Sequence, residues 1–569
     1  MRKLSLLIVA IIATSLQTIN TSNACTNFLI TKGASRDGSC MITYSADSPS
    51  LYGELYHWPA KNWGAGTWLY VTEWDTGKKM GRIPQLANTY NVVGNMNQYQ
   101  LSITETTFGG RSELSSQSGA IMDYGSLIYI TLQRAQNARE AIVIMTQLVE
   151  EFGYASSGES FSLCDPNEVW IMEMIGKGEG EKGAVWVARM VPDGYVCAHA
   201  NQARITTFPL DDATSIPSNK LDRIYNKNVT TVYSKDVISF AKQKGYFPID
   251  GKNSEFSFSD TYNPLDFGGA RACEIRVWSF FNAISDGMEQ YWEYAKGTGI
   301  EHGEYGYATN RMPLWIEPNR KLDVTDVMDL MRDHLEGTEL DMTKDVGAGP
   351  FGCPYRWRPM SYTVDSVEYV NERATATQQT GFTLVAQSRN WLPDEIGGIL
   401  WFGVDDAAST VYFPMYTCST RIPEPFFGGS INEFDEDKAF WVFSQLTNFA
   451  YTRYNIIHPE IRKAQRTKEM DYKQKVAFAD ANAKTLYEQD KSRCVEYLTE
   501  FSCNTGEQLV KEWKKLYGQL FAKYMDGATR TIVEGEPMPK VSYNAAPEWY
   551  YRAIIEDMGD KQRVKEVKP

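Results

Sequence analysis

Residues 25–47 read as a β-hairpin with a cysteine at its head. Cys25-Thr-Asn-Phe-Leu-Ile-Thr31 alternates and is rich in β-formers, Asp37-Gly38 suits a tight turn, and residues 40–45 run back as a second strand ending near Asp47. What precedes the hairpin has the pattern of an export leader. Met1-Arg2-Lys3 is basic, residues 4–16 are apolar, and Ser22-Asn23-Ala24 supplies small residues at a cleavage site. An apolar helix of that length is about 20 Å, short of a membrane span. Residues 1–24 are therefore expected to be a signal peptide and the protein to be periplasmic or extracellular, with no integral membrane span. Cys25 would then be the new amino terminus. Three roles are open to it: a structural thiol, a lipid-bearing cysteine, or a nucleophile whose own α-amine acts as base. A lipid-attachment site prefers an aliphatic residue three positions upstream, where this chain has Ser22, and the apolar run stops well before Ala24.

Composition removes several other classes. Apolar residues make up 43% and charged residues 22% of the 569 positions, which excludes disorder for most of the length. A formal charge of −14 repels phosphate backbones, so nucleic acid is not an expected partner. Five histidines, without HExxH, CxxC or EF-hand spacing, give no reason to expect a metal or another cofactor. Nine cysteines leave at least one thiol unpaired, and their wide spacing favours buried single thiols over a disulfide framework.

Further along, residues 91–98 and 100–105 suggest another hairpin, and 138–152 a helix whose apolar face is Ala141, Ile142, Met145, Leu148, Val149 and Phe152, closed by Gly153. Residues 168–175 and 184–191 read as strands joined by a glycine-rich linker. The linker is acidic and leads into a strand, so it is a hairpin loop and not a phosphate cradle. A third strand, 195–200, ends at Asn201. From about residue 432 the chain becomes long, charged and helix-periodic, over 438–454, 461–501 and 506–525. The whole reads as α+β, antiparallel sheets covered by helices, with a helical C-terminal extension belonging to the same unit.

Cys25 can carry nucleophile and base together, because an α-amine titrates near neutrality and sits on the same residue as the thiol. Such a site also needs a carboxylate to orient the amine and donors for an oxyanion. Asp47, at the end of the strand paired with the first, could do the former, and Asn201 the latter. On residue type alone, Asp47 could equally be a turn cap and Asn201 a strand-end turn residue. His199 invites a Cys–His pairing, but alternation places it on the face shared with Asn201, where it is expected to pack.

Ala24-Cys-Thr-Asn-Phe-Leu-Ile30 and Ala34-Ser-Arg-Asp-Gly-Ser39 resemble the start of peptidase family C69, the dipeptidases. Gly94-Asn-Met-Asn-Gln98, Thr104-Glu-Thr-Thr107, the helix from Ala138, Asp193-Gly194 and Ala200-Asn-Gln-Ala-Arg-Ile205 follow in the family's order. The resemblance runs from Cys25 to about residue 430 and extends to penicillin V acylases and bile-salt hydrolases. It implies an N-terminal nucleophile hydrolase, an αββα sandwich over residues 25–430, with 431–569 as the extension. It implies Cys25 as nucleophile with Asp47 beside it, Asn201 in the oxyanion hole and a backbone N–H near Thr106 as second donor. The arginine of the wider superfamily falls on Arg271, with Arg276 as a rival. Small dipeptides are the implied substrates. The alternatives are an N-acyl amide hydrolase of the bile-salt or penicillin V type, or a surface binding protein lipidated on Cys25. One departure stands out: where the superfamily carries an arginine three residues before the aspartate, this chain has Tyr44, so another cation would have to serve.

Overall fold

The computed structural model describes residues 25–356 and 360–565; the expected leader lies outside them. The chain opens with β1 (Asn27–Ile30) and returns as β2 (Cys40–Asp47), with Leu29 opposite Ile42. The turn between them is set by Asp37, whose Oδ1 accepts from the Ser39 N–H at 3.0 Å, and by Gly38 at φ 84°. β3 (Ser102–Gly109) follows, then helices α1 (Tyr124–Leu132) and α2 (Ala138–Phe152). The caps of α2 explain its bounds: the Asn137 side chain accepts from the Glu140 N–H, and Gly153 leaves the helix at φ 77°. A meander of β4 (Gly158–Cys164), β5 (Val169–Gly176) and β6 (Ala184–Met190) comes next, the glycine-rich linker closing the β5–β6 hairpin. β7 (Val196–His199), α3 (Ile275–Ile284), β8 (Thr380–Ser388), β9 (Ile399–Val404) and β10 (Phe413–Tyr416) complete the scaffold. Three helices follow: α4 (Ala439–Tyr451), α5 (Tyr454–Gln489) and α6 (Lys491–Tyr524).

Among the described residues these strands form two large sheets. The seven-stranded sheet runs Trp315–Ile316, β7, β1, β2, β8, β9, β10, antiparallel throughout. In the nine-stranded sheet β6, β5, β4 and β3 are central, and Ser215–Pro217 beside Thr231–Tyr233 is a parallel pair at one edge. The fold is α+β, as expected.

Side-chain alternation divides the layers. Ile103, Phe161, Leu163, Trp170 and Met172 of the larger sheet join Leu127, Ile142 and Met145 of α1 and α2 in one apolar core. The opposite face meets the smaller sheet through apolar side chains, among them Ile171 and Val187 with Leu29 and Ile42 in one cluster, and through polar groups: the Asn27 amide lies against the hydroxyls of Thr104 (2.8 Å) and Ser162 (3.3 Å). On the far side of the smaller sheet Phe28 stacks on Phe280 of α3, with ring centroids 4.0 Å apart.

The C-terminal helices differ from expectation in two ways. Their break falls at Asp490, whose side chain caps the Ser492 N–H, and not between 501 and 506. Gly506, which suggested a break, lies inside α6 where the helix presses on β10: a Cβ there would stand 2.8 Å from Pro423 Cγ and 3.0 Å from Phe413 Cε2. The tail is also not purely helical, since a hairpin of Ala528–Thr531 and Lys540–Tyr543 follows.

Candidate active site

Cys25 sits one residue before the isolated Thr26–Ser45 bridge, so the β1–β2 hairpin fixes it beside the end of β2. It is 4% exposed. Its Sγ lies 3.7 Å from Glu105 Oε1 on β3 and 3.8 Å from the Tyr44 hydroxyl on β2. Burial, then the Glu105 carboxylate, then Asp47, push the thiol well above its ordinary range, with the Asp47 backbone N–H and Tyr44 pulling weakly the other way. These surroundings favour the neutral thiol over the thiolate.

Asp47 is buried at the end of β2. Its Oδ1 accepts from Ser45 Oγ (2.5 Å) and Thr380 Oγ1 (2.7 Å), and its Oδ2 pairs with Arg373 at 2.5 Å. A cation does stand beside Asp47, then, although Tyr44 fills the position three residues before it. Arg373 arrives from a segment 326 positions away.

Of the two candidate arginines the fold brings Arg276 to Cys25. The buried guanidinium donates to the Cys25 carbonyl (2.7 Å), Thr26 Oγ1 (2.8 Å), the Ala200 carbonyl (3.0 Å) and Asn201 Oδ1 (2.9 Å). Burial first, and Arg373 second, bring Arg276 down to about 10, which leaves it cationic at neutral pH. Arg271 is turned elsewhere, 3.9 Å from Glu372 Oε1, a carboxylate also held by Arg356 Nε at 3.2 Å. Of the two candidates, Arg276 is the one that the fold places on Cys25 and Asn201, and Arg271 lies beside Glu372. A wide helical turn over Gly269–Glu274 shifts the helix phase between the two.

Asn201 stands just past β7 with φ 64°, a left-handed conformation unusual for a side-chain-bearing residue. Arg276 fixes its oxygen, and its Nδ2 donates to the Thr107 carbonyl at 2.7 Å. Asn201 and the Thr106–Thr107 segment are therefore brought together, through the Thr107 carbonyl. The Thr106 side chain is engaged with His199, at 2.7 Å from Nδ1, and His199 Nε2 meets Ser162 Oγ at 2.7 Å. Burial and then Arg204 hold His199 down at about 3, so it is a neutral, fully bonded ring between the sheets.

Four residues here were not singled out from sequence: Tyr44 as a contact of the sulfur, Glu105, Glu159 and Arg373. A glutamate inside each of two β-rich runs, 102–109 and 158–164, was the available signal for the carboxylates. Among the described residues no group of three or more His, Cys, Asp and Glu side chains could hold a metal ion. All nine cysteines are unpaired. No described helix is long and apolar enough to cross a membrane.

The sequence pattern of peptidase family C69 matches residues 24–467. The chain is similar to a probable dipeptidase of Salmonella dublin, 23% identical over 69% of this chain and 81% of that protein. It is similar to a probable dipeptidase B of Streptococcus pyogenes serotype M1, 22% identical over 91% of this chain and 97% of that one. A dipeptidase of Bifidobacterium longum is 25% identical over 57% of this chain and 61% of its own length. Cys25, whose carbonyl Arg276 holds together with Asn201, lies within the matched span, and the chain belongs to peptidase family C69 and is a peptidase.

Proposed function

We propose that this protein is an exported dipeptidase of the N-terminal nucleophile class, in which removal of residues 1–24 uncovers the α-amine of Cys25. The observation that carries the reading is the Arg276 guanidinium, which holds the carbonyl of Cys25 and the side chain of Asn201 at once. A nucleophile and an amide donor tied to one rigid cation suit attack on a carbonyl whose oxygen becomes negative. The dipeptidase names of the similar proteins support the substrate class.

In this mechanism the Cys25 amine takes the thiol proton and the sulfur attacks the dipeptide carbonyl. The Asn201 amide and a backbone N–H near Thr106 stabilise the oxyanion. As the C–N bond breaks, the amine returns the proton to the leaving nitrogen and the second amino acid departs. Water then adds to the thioester carbon, giving its proton to the amine; the C–S bond breaks, the first amino acid leaves, and the thiol is restored. Asp47, fixed by Arg373, Ser45 and Thr380, orients the amine. The two sheets, with helices on their outer faces, suit the αββα sandwich of this class.

The test is a matched pair of chains, one beginning at Cys25 and one beginning Met-Cys25 with the Met retained. The first hydrolyses dipeptides. The second folds but is inactive, because its amide nitrogen has no basic lone pair, and trimming the Met restores activity. Cys25→Ala in the first lowers turnover by on the order of 10⁴-fold or more. Full activity of the untrimmed chain would remove the amine from the mechanism. N-terminal sequencing of the protein as secreted checks that the cut falls before Cys25.

A further inference from the structure

The mechanism leaves one group beside the sulfur without a task. Glu105 is 1% exposed, its Oε1 is 3.7 Å from Cys25 Sγ, and the same oxygen accepts from the Tyr44 hydroxyl at 2.5 Å. Glu159, on the neighbouring strand, is equally buried, with its Oε1 accepting from Thr107 Oγ1 at 2.9 Å. The Oε2 atoms of both are buried, and the two carboxyl groups lie within hydrogen-bonding reach of each other. Burial raises both carboxyls, and the charge of Glu105 raises Glu159 well above its ordinary range. Two carboxyls so placed do not ionise together readily, and Glu105 is the one of the pair more easily charged.

That charge is adverse to the chemistry at Cys25. After burial itself, Glu105 is the strongest influence keeping the thiol protonated. A buried, incompletely solvated carboxylate touching a nucleophile that must become anionic costs rate unless a cation arrives to neutralise it. A dipeptide brings one. Its α-ammonium is on the carbon next to the carbonyl under attack, three bonds from the sulfur in the thioester. A carboxylate that already touches the sulfur is within hydrogen-bonding reach of that nitrogen.

We propose that Glu105 is a specificity-determining residue that receives the α-ammonium of the substrate's first residue and so restricts hydrolysis to peptides with a free amino terminus. The proposal rests on the dipeptidase reading above and sharpens it. Binding and activation become one event, since the ammonium that pairs with Glu105 also removes the charge opposing thiol ionisation. Substrates acylated on that nitrogen lose the ion pair and leave the charge in place. Tyr44 holds the carboxylate toward the sulfur, and Glu159, which burial and the charge of Glu105 dispose to keep its proton, limits the negative charge behind it.

The experiment compares Ala-Ala with propionyl-Ala, which has the same shape without the amine, and with N-acetyl-Ala-Ala. With the wild-type enzyme kcat/KM for Ala-Ala should exceed that for propionyl-Ala by roughly 10²–10³-fold, as for loss of one partner of a buried charge pair. Part of the difference should lie in kcat. Glu105→Gln should lower kcat/KM for Ala-Ala by a similar factor and leave propionyl-Ala and N-acetyl-Ala-Ala unchanged or improved, while Glu105→Asp keeps part of the preference. Equal wild-type rates on Ala-Ala and propionyl-Ala, lost together in Cys25→Ala, would overturn the role of Glu105 and leave the dipeptidase reading standing. A Glu105→Gln enzyme that is slowed alike on all three substrates would overturn that role in the same way. A wild-type enzyme that cleaves no peptide would sink the underlying reading and this inference with it. The propionyl-Ala comparison needs no variant, so it decides the matter even if Glu105→Gln fails to fold.

Discussion

At the level of single residues, the site depends on which side of a helix an arginine faces. Arg271 and Arg276 are equivalent in composition and nearly so in position, yet only the second reaches the Cys25 carbonyl and Asn201. Five positions apart along one helical stretch, the two guanidiniums have different surroundings, and nothing in the local sequence says which of them reaches Cys25. Cys25, Asp47 and Asn201 were legible because each ends or begins a strand whose alternation and turns can be read. Arg373 and Glu159 were not, because their meaning comes from partners distant in the chain or across strands. Asn201 pairs its oxygen with Arg276 and directs its nitrogen toward the Thr107 carbonyl, so the amide orientation is fixed before substrate arrives. Asn201→Ala should therefore lower kcat by roughly 10²–10³-fold, the usual cost of one oxyanion donor, with KM changing less. Steady-state kinetics on a dipeptide reads this directly, and a normal kcat with a raised KM would make Asn201 a ground-state contact.

Among the elements, those with explicit end signals were read correctly. Asn137 and Gly153 bracket α2, and Asp37-Gly38 closes the first hairpin. In the C-terminal helices, whose break the sequence reading set between 501 and 506, glycine has two uses that look alike in sequence. Gly506 permits α6 to approach Pro423 and Phe413, whereas Gly518 in the same helix has open space where a Cβ would go. The pair makes a controlled comparison. Gly518→Ala should raise stability by up to about 1 kcal/mol, the helix-propensity gain of alanine over glycine. Gly506→Ala meets a proline ring and an aromatic edge, neither of which can swing aside, and should lose about 1–3 kcal/mol despite the same propensity gain. Opposite shifts in Tm are expected. A rise in both would mean that the α6–β10 contact yields easily.

For the whole molecule, the question is whether the helices after residue 430 are an appendage or part of the core. Their buried side chains, among them Tyr472, Val476, Leu498, Leu509 and Trp513, belong to the same apolar cluster as Leu400, Phe413 and Tyr416 of the smaller sheet. Polar groups cross the same boundary. Arg389 next to β8 pairs with Asp480 of α5 at 2.5 Å, the Tyr416 hydroxyl donates to that aspartate at 2.6 Å, and buried Arg332 pairs with Glu469 at 2.5 Å. Removing the helices would take the carboxylate from buried Arg389, take one of the two held by buried Arg332, which keeps Asp329, and expose one face of β9 and β10. Each broken buried pair costs about 3–5 kcal/mol, comparable to the whole net stability of many domains. The sequence reading placed the helices in one unit with the sheets but could not show that strand β10 depends on them, because that dependence is a packing relation. A chain ending at residue 430 should consequently fail to accumulate as soluble, folded protein, and the full-length chain should unfold in one calorimetric transition that coincides with loss of activity. Two separated transitions, or an active 25–430 fragment, would instead make the helices an independent unit resting on a self-sufficient catalytic sandwich.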